Sequence, residues 1–362
     1  MPTITSPTDA ALAELCQQLA QLARQTDLSG SWPAEQLRLC GEFGAFEWFL
    51  EPEWGGQGWS EEDVVQGYLA LSRACLTTTF IITQRSGACR RIATSENQFL
   101  KEHLLPCLAS GERFATVGIS HLTTSRRHLA TPVMRAERAP GGFVLDGYSP
   151  WVTGACHAEH VVLGATMMEN STASAEQLLV VLPTDKPGVS TPPPISLLGV
   201  SASATGEIRC EQVFIEEAWV LAGPQENVMA RGSGGGTGGH QTSTLALGLA
   251  GSAIDYLAHE STTRAGLDSP LEALRQEYKA VYADLLAVVR QEPSCSQELL
   301  RQRANSLVLR ATQAALVTAK GAGYVQGNPV GRWCREALFF LVWSCPQPVQ
   351  SANLCELAGI AY

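Results

Sequence analysis

The chain has 362 residues, of which 45% are hydrophobic and 17% charged, the balance of a globular protein with room for two or three packed units. Lys and Arg number 25 against 35 Asp and Glu, and the net charge of −10 gives no electrostatic case for wrapping nucleic acid or docking on an anionic membrane. No run reaches the ~18 apolar residues of a spanning helix, so we expect neither a membrane nor a nucleic-acid partner.

The eleven cysteines are scattered, odd in number and without a Cys-x-x-Cys pair. This pattern favours reduced thiols over a disulfide frame or a zinc site, and we expect no bound metal. The N-terminus lacks the charged and apolar segments of a secretory signal. Together these features predict a cytoplasmic protein.

The first third of the chain, residues 1–112, is predicted to be an N-terminal helical domain. Apolar residues of 8–25 recur at three- and four-residue steps, and Pro33 opens a second helix over 33–50. Residues 51–58, with a proline and three glycines, break the pattern. Ser60 and the acids after it start a third helix, and apolar segments follow at 77–85 and 96–110.

The pattern changes to short β-rich runs at Phe114. Six runs are separated by Gly, Pro and Asp, at 114–119, 130–137, 143–152, 160–168, 177–182 and 208–213. Close spacing without intervening helices predicts a compact antiparallel sheet or small barrel, which we place in a β domain of residues 113–226.

The stretch 142–168 carries the most informative residues of this β region. Asp146-Gly147 predicts a tight hairpin turn, and the segment after it brings Trp151, Thr153 and Gly154 to one place. A flat indole beside a hydroxyl at the end of a hairpin suits an aromatic cofactor. A core aromatic is the alternative interpretation of a single Trp.

Helical patterns return after a glycine-rich run at 232–239. Long helices are predicted at 241–263, 271–290 and 297–320 and a shorter one at 332–343, forming a C-terminal helical bundle domain of residues 227–362. The glycine run lacks the Lys-Ser/Thr of a phosphate loop, so we interpret it as a flexible lead-in to a helix. The order helices, sheet, helices predicts an α+β fold with segregated units.

Four features of the chain resemble the acyl-CoA dehydrogenase superfamily. They are this order of helices, sheet and helices, and the segments EPEWGGQG at 51–58, WVTG at 151–154 and GAGYVQGNPVGRWCREA at 321–337. The resemblance implies an N-terminal helical domain, a middle antiparallel β domain and a C-terminal four-helix bundle around FAD. It also implies a homodimer or homotetramer.

By this resemblance Trp151 would lie against the isoalloxazine ring, Thr153 would hydrogen-bond near its reactive edge, and Gly154 would allow close backbone approach. The family's Thr-Glu-Pro and Gly-Ser-Asp signature is replaced by a segment whose hydroxyls, Ser120 and Thr123, could bind flavin or phosphate.

The same segment gains Arg126 and Arg127 where the family's acids are missing. These two side chains are candidates for binding a phosphate or carboxylate of the substrate. Solvated surface arginines are the equal alternative.

The catalytic base is unassigned. The resemblance places Ser344 where relatives carry the Glu that takes the substrate α-proton, and a hydroxyl cannot do so without a partner base. Some relatives place the Glu on the helix after the glycine run, where His240 is the only titratable group here. His240 is therefore a candidate base, with a helix-capping or exposed histidine as the alternative.

The adenine end of the cofactor site also departs from the family. Of the Arg-x-x-Phe-Gly motif only Gly266 and a displaced Arg264 remain, and Val317 and Lys320 replace the family's Gln and first Gly. FAD is the expected cofactor, with FMN as an alternative.

Three functions follow from these observations. The first is a flavin-dependent oxidoreductase acting on the CH-CH bond of an acyl thioester bound to CoA or to a carrier protein. The second is a flavin-dependent monooxygenase or oxidase on the same fold, which does not need the Glu. The third is a non-catalytic family member.

Overall fold

The computed structural model describes residues 2–123, 131–230 and 239–360. Its N-terminal part is helical, as predicted. Ser60 caps the third helix by accepting from the Asp63 amide, which is the start that the sequence indicates. The helices are α1 (Ala10–Ser29), α2 (Ala34–Glu42), α3 (Glu61–Ala74), α4 (Leu76–Ala93) and α5 (Gln98–Ala109).

The second helix is shorter than predicted, because α2 ends at Glu42 and residues 43–50 form turns. Gly44 has φ 78°, and a Cβ built there would lie 2.8 Å from Thr3 Cγ2, so the chain cannot continue as a helix. The turns bury Phe43 and Trp48, whose apolar side chains produced the helical pattern.

The middle part forms one mixed sheet of eight strands among the described residues. The strand order is β6-β7-β3-β2-β4-β5-β8, with β1 paired to β4. Most pairs are antiparallel, as predicted, whereas β1 and β2 each run parallel to β4. The elements are β1 (Ala115–Gly118), α6 (Ser120–Thr123), β2 (Met134–Ala139), β3 (Gly142–Val152), β4 (His160–Glu169), β5 (Thr172–Pro183), β6 (Val189–Ser190), β7 (Gly206–Glu216) and β8 (Val220–Glu226).

The predicted turn at Asp146-Gly147 is wrong, because β3 runs straight through it and the tight turn lies at Pro140-Gly141. Strand β3 is paired on both sides, with β2 and with β7, and this pairing overrides the local preference of the dipeptide. Strand β7 has an extra residue opposite this point, and the Gln212 amide donates to the Asp146 carboxylate at 3.4 Å.

The C-terminal part is helical, and the fold class expected from the sequence is confirmed. The predicted helices appear as α7 (His240–Ser261), α8 (Asp268–Val289), α9 (Gln297–Gly323) and α10 (Pro329–Phe339). Helices α6 and α11 (Gln347–Leu357) and strands β6 and β8 were not predicted. In the described part of the chain no helix is long and apolar enough to cross a membrane.

Helix α4 lies at the centre of the molecule. The largest core joins the N-terminal helices to α7, α8 and α9, and includes Leu76 and Phe80 of α4. Another core joins α4 and α5 to the sheet through Cys89 and Ile92. Because α4 contributes to both cores, it sets the position of the sheet relative to the C-terminal helices.

Candidate functional site

Trp151 lies in a bulge at the end of β3. Ser149 pairs with Ile208 and Val152 with Gly206, so β3 has one residue more than β7 in this interval. Trp151 has φ 58°, a conformation that costs a bulky residue roughly 1–3 kcal/mol. Its side chain is nevertheless 48% exposed. This position excludes the alternative of a core aromatic.

Gly154 follows in the left-handed conformation, with φ 65°. A Cβ built there would lie 2.8 Å from both Phe114 Cε1 and Trp32 Cη2, so only glycine fits. Trp32, from the loop before α2, stacks on His157 with ring centroids 4.3 Å apart. The N-terminal part therefore packs directly against the turn that follows Trp151.

Thr153 is buried, and its hydroxyl oxygen lies 3.4 Å from that of Thr205. The Gly154 amide donates to Ser203 O at 2.9 Å. The segment before β7 thus fixes Thr153 and Gly154 by hydrogen bonds with Thr205 and Ser203. The flavin contact expected of the Thr153 hydroxyl stays a prediction.

Ser120 and Thr123 lie at the two ends of α6, a single turn beyond β1. The Ser120 hydroxyl donates to Pro150 O, in the residue before Trp151, at 3.0 Å. The binding of flavin or phosphate by Ser120 stays a prediction. The Thr123 hydroxyl donates to Ser120 O at 3.1 Å. Arg126 and Arg127, the predicted substrate-binding residues, lie outside the described residues.

His121 was not singled out from the sequence, and it occupies the centre of this region. Its ring is only 7% exposed. Nε2 lies 2.8 Å from Gly164 O and Nδ1 lies 3.2 Å from the Ser149 hydroxyl. Burial lowers the pKa of His121 to about 4, although the bond to Gly164 acts in the opposite direction.

His240 is neither an exposed histidine nor a simple cap. It begins α7, is half-buried, and places Nε2 3.0 Å from Glu61 Oε1 at the start of α3. Arg90 of α4 binds the other Glu61 oxygen at 2.8 Å. Burial alone would raise the pKa of Glu61, but the hydrogen bond from His240 and the charge of Arg90 outweigh it and lower the pKa to about 2.

Helix α4 connects this charged cluster to the bulge. A Cβ built at Gly87 would lie 3.6 Å from Val117 Cγ1, so α4 packs on β1 one turn before Arg90. Strand β1 leads directly to Ser120, which binds the residue before Trp151. Glu61 was interpreted from the sequence only as a helix-start charge, because its partner lies 179 residues away.

Ser344 lies between α10 and α11 with φ 43°. Arg301 of α9 fixes the same turn, since its guanidinium donates to Trp343 O at 2.8 Å and to Phe340 O at 3.3 Å. Trp343 in turn lies against Phe80 of α4, with ring centroids 4.9 Å apart. The turn is well fixed, but Ser344 brings no carboxylate to it.

Arg264, predicted to contact the cofactor, follows α7 and is engaged within the chain. Its Nη1 donates to Thr318 O, and its Nε lies 2.9 Å from Glu260. Lys320, two residues further along α9, has φ 54° and interrupts that helix. The flavin contact of Arg264 stays a prediction.

No cluster of three or more His, Cys, Asp or Glu able to hold a metal ion occurs in residues 2–123, 131–230 and 239–360. The order of helices, mixed sheet and helices is the fold of acyl-CoA dehydrogenases.

Comparisons with known proteins agree. Residues 8–112 match the family model of the acyl-CoA dehydrogenase N-terminal domain. A probable acyl-CoA dehydrogenase YngJ of Bacillus subtilis is 22% identical over 342 residues, covering 89% of this chain and 88% of the relative.

Solved structures share the fold over nearly the whole chain. Butyryl-CoA dehydrogenase from Megasphaera elsdenii superposes with a TM-score of 0.83 at 16% identity, covering 96% of this chain and 98% of its own. A glutaryl-coenzyme A dehydrogenase in complex with glutaryl-CoA gives a TM-score of 0.80 at 19% identity, covering 98% and 96%. Over nearly its whole length the chain is similar to acyl-CoA dehydrogenases, and residues 8–112 match the N-terminal domain of that family.

Proposed function

We propose that the protein is an acyl-CoA dehydrogenase-like flavoprotein oxidoreductase acting on the CH-CH bond of an acyl thioester, carried on CoA or on a carrier protein. The observation that carries the proposal is Trp151, a strained residue whose indole is turned outward on a rigid sheet. A strained, exposed aromatic indicates a ligand that uses its face.

The cofactor in this proposal is FAD, with FMN as the alternative. The exposed indole of Trp151 offers its face to a flat ring. The Cβ side of Gly154 is filled by Phe114 and Trp32, so the close backbone approach proposed for Gly154 would be from its other side. Thr153, Ser120 and Thr123 border this place, and Arg264 is proposed for the distal half. When bound, the flavin would accept a hydride from the substrate β-carbon.

The α-proton needs a base, and we assign this role to His240. His240 directs Nε2 to Glu61 at 3.0 Å, which leaves Nδ1 as the ring nitrogen that would take the proton. Glu61 stabilises the imidazolium that results, because it is ionised. Ser344 cannot replace it, since a hydroxyl is far too weak a base.

The substrate-side arginines remain part of the proposal. Arg126 and Arg127 would bind a phosphate or carboxylate of the thioester, as a bidentate guanidinium can. Their replacement by Gln would raise the KM for the thioester without changing kcat. An unchanged KM would remove them from the site.

Monooxygenase or oxidase activity is the second candidate function. This function is favoured by the presence of Ser344 at the position where relatives carry the catalytic Glu. A monooxygenase or oxidase reaction does not need that Glu, because the pocket has only to position the substrate. Anaerobic mixing with a series of acyl-CoAs separates the two. Bleaching of the flavin band supports dehydrogenation, whereas oxygen consumption with an external flavin reductant, without bleaching, supports the second. Flavin binding with neither response would identify a non-catalytic member.

We also propose three domains, residues 1–112, 113–226 and 227–362, and a homodimer or homotetramer. Support for assembly comes from apolar side chains at the end of α9, around the α10–α11 turn and on α11. We name this set the C-terminal apolar face. Its members, each at least 60% exposed, are Val317, Tyr324, Val325, Val342, Leu354, Leu357 and Ile360.

A cytoplasmic location completes the proposal. All eleven cysteines are free thiols, and Cys156 is exposed. Exposed and unpaired thiols are typical of a reducing compartment. Nucleic acid is not among the proposed partners, given the net charge of −10.

A further inference from the structure

The last residues of β3 lie against α6, the single turn that replaces the family's acidic strand-end signature. Ser120 donates to Pro150 O at 3.0 Å. The neighbouring His121 lies 3.2 Å from the Ser149 hydroxyl. Two consecutive side chains therefore bind the two consecutive residues that precede Trp151.

The hydrogen-bond directions are determined by chemistry. Gly164 O can only accept, so His121 Nε2 carries the proton and donates to it at 2.8 Å. Nδ1 of the neutral ring then accepts from Ser149, whose hydroxyl is the only proton available between them. His121 thus connects β4 to the end of β3 through one fixed tautomer.

Two glycines make room for this arrangement. A Cβ built at Gly164 would lie 2.4 Å from Leu122 Cδ1, and one built at Gly118 would lie 3.1 Å from Ser149 Oγ. Larger residues at either position would displace α6 or the Ser149 side chain. The sheet is therefore shaped to seat residues 120–122 against the bulge.

We propose that Ser120 and His121 are positioning residues that hold the Pro150-Trp151 bulge in the shape that presents the indole to the flavin. Without them the two residues before Trp151 lose both hydrogen bonds that α6 makes to them, and β3 can pair regularly with β7. The inference rests on the proposed function only for the identity of the ligand.

A purely structural role would give a different result. His160 is a suitable comparison, because it is buried on the same strand as Gly164 and its ring stacks on Trp219 at 5.8 Å. Its Nδ1 has no hydrogen-bond partner in the part of the chain that the structure describes. His160→Leu should therefore lower stability without affecting residues 150–151.

The experiment measures the FAD dissociation constant, the visible spectrum of the bound flavin and the unfolding midpoint. The variants are His121→Leu, Ser149→Ala, their double mutant, His121→Gln and the control His160→Leu. We expect His121→Leu and Ser149→Ala each to raise the dissociation constant about tenfold and to shift the flavin band. The double mutant should bind FAD no more weakly than the weaker-binding single variant, because both substitutions remove the same hydrogen bond between His121 and Ser149.

His121→Gln keeps a donor for Gly164 and an acceptor for Ser149, and should restore most of the affinity. The control, His160→Leu, should match wild type in FAD affinity and flavin spectrum. Its unfolding midpoint should fall about as much as that of His121→Leu. Wild-type affinity in His121→Leu, or an affinity loss in His160→Leu as large as in His121→Leu, would overturn the inference.

If the wild-type protein binds no flavin, the proposed function fails and the positioning role is tested separately. Iodide quenching is compared between each protein and its Trp151→Phe derivative, which isolates the emission of Trp151. We expect His121→Leu to change the quenching constant of Trp151 about twofold. An unchanged constant would show that His121 does not set the position of the indole.

Discussion

At the scale of single residues, Trp151 combines backbone strain with an exposed indole. Trp151→Ala removes the face on which a flavin ring would stack, and we expect the FAD dissociation constant to rise about tenfold, equal to ~1.4 kcal/mol. Trp151→Phe is the matched control, since it keeps a flat ring, and should lose much less. Equal affinity in wild type and Trp151→Ala would remove Trp151 from the flavin site.

The role of His240 is tested by His240→Gln. We expect substrate-driven flavin reduction to slow by about 10²–10⁴-fold, because the α-proton loses its acceptor, while flavin affinity is unchanged. His259→Gln is the control, as His259 is exposed at the far end of the same helix. Rapid reduction in His240→Gln, measured by anaerobic stopped-flow absorbance, would show that another group is the base.

The sequence was informative at this scale only where a residue's role depends on its neighbours in the chain. Trp151, Gly154 and Ser120 were predicted as site residues because they lie within short motifs. Glu61 and His240 are 179 residues apart, and no local pattern indicates their pairing. His121 was passed over because its partners lie on β3 and β4, which only the folded sheet brings together.

At the scale of elements, helix starts and strand positions followed the local sequence well. Ser60 and the acids after it, for example, begin a helix as predicted. The errors arise where tertiary pairing decides. Asp146-Gly147 prefers a turn but lies inside β3, because strands on both sides hold it. The helix predicted over 33–50 stops at Glu42, because Gly44 is needed for close packing on Thr3.

The contact between α10 and α4 makes a pH-dependent contribution to stability. Glu336 is fully buried, 3.4 Å from the Thr77 hydroxyl and 3.7 Å from the Arg332 guanidinium. Burial raises the pKa of Glu336 to about 7, and Arg332 only partly opposes it. The folded state therefore favours the protonated carboxyl, whose stabilising contribution is full below the unfolded pKa of 4.5 and is lost as the pH rises through about 7.

Glu336→Gln replaces the carboxyl by a group that stays neutral. We expect the variant to gain about 2 kcal/mol more, relative to wild type, at pH 8 than at pH 5. Urea denaturation at the two pH values measures this difference. A stability difference that does not change with pH would contradict a raised pKa for Glu336.

At the scale of the whole molecule, α4 is the element through which the sheet, the N-terminal helices and the C-terminal helices are joined. Helix α4 contacts the His240–Glu61 pair through Arg90 and the Ser344 turn through Phe80, and it packs on β1, which leads to the residue that binds Pro150. These contacts link parts of the chain that lie far apart in the sequence. The side chains of the C-terminal apolar face are exposed, and they follow the bulge far along the sequence.

Assembly is tested by placing charges on that face. Val342→Lys with Leu354→Lys should shift the protein toward the monomer, because a buried lysine without a partner is unfavourable in an interface. Leu198→Lys is the control, since Leu198 is strongly exposed but lies outside the face. Sedimentation velocity measures the change. A monomeric wild type, or an assembly unaffected by both charges, would contradict the proposed homo-oligomer.

The central claim, that residues 151–154 present a flavin site, is tested most directly by the visible absorption spectrum of the purified protein before and after reconstitution with FAD. The account predicts the two flavin bands, with bound FAD in stoichiometric amounts that survives gel filtration and is lost in Trp151→Ala. A colourless protein that takes up neither FAD nor FMN would contradict it.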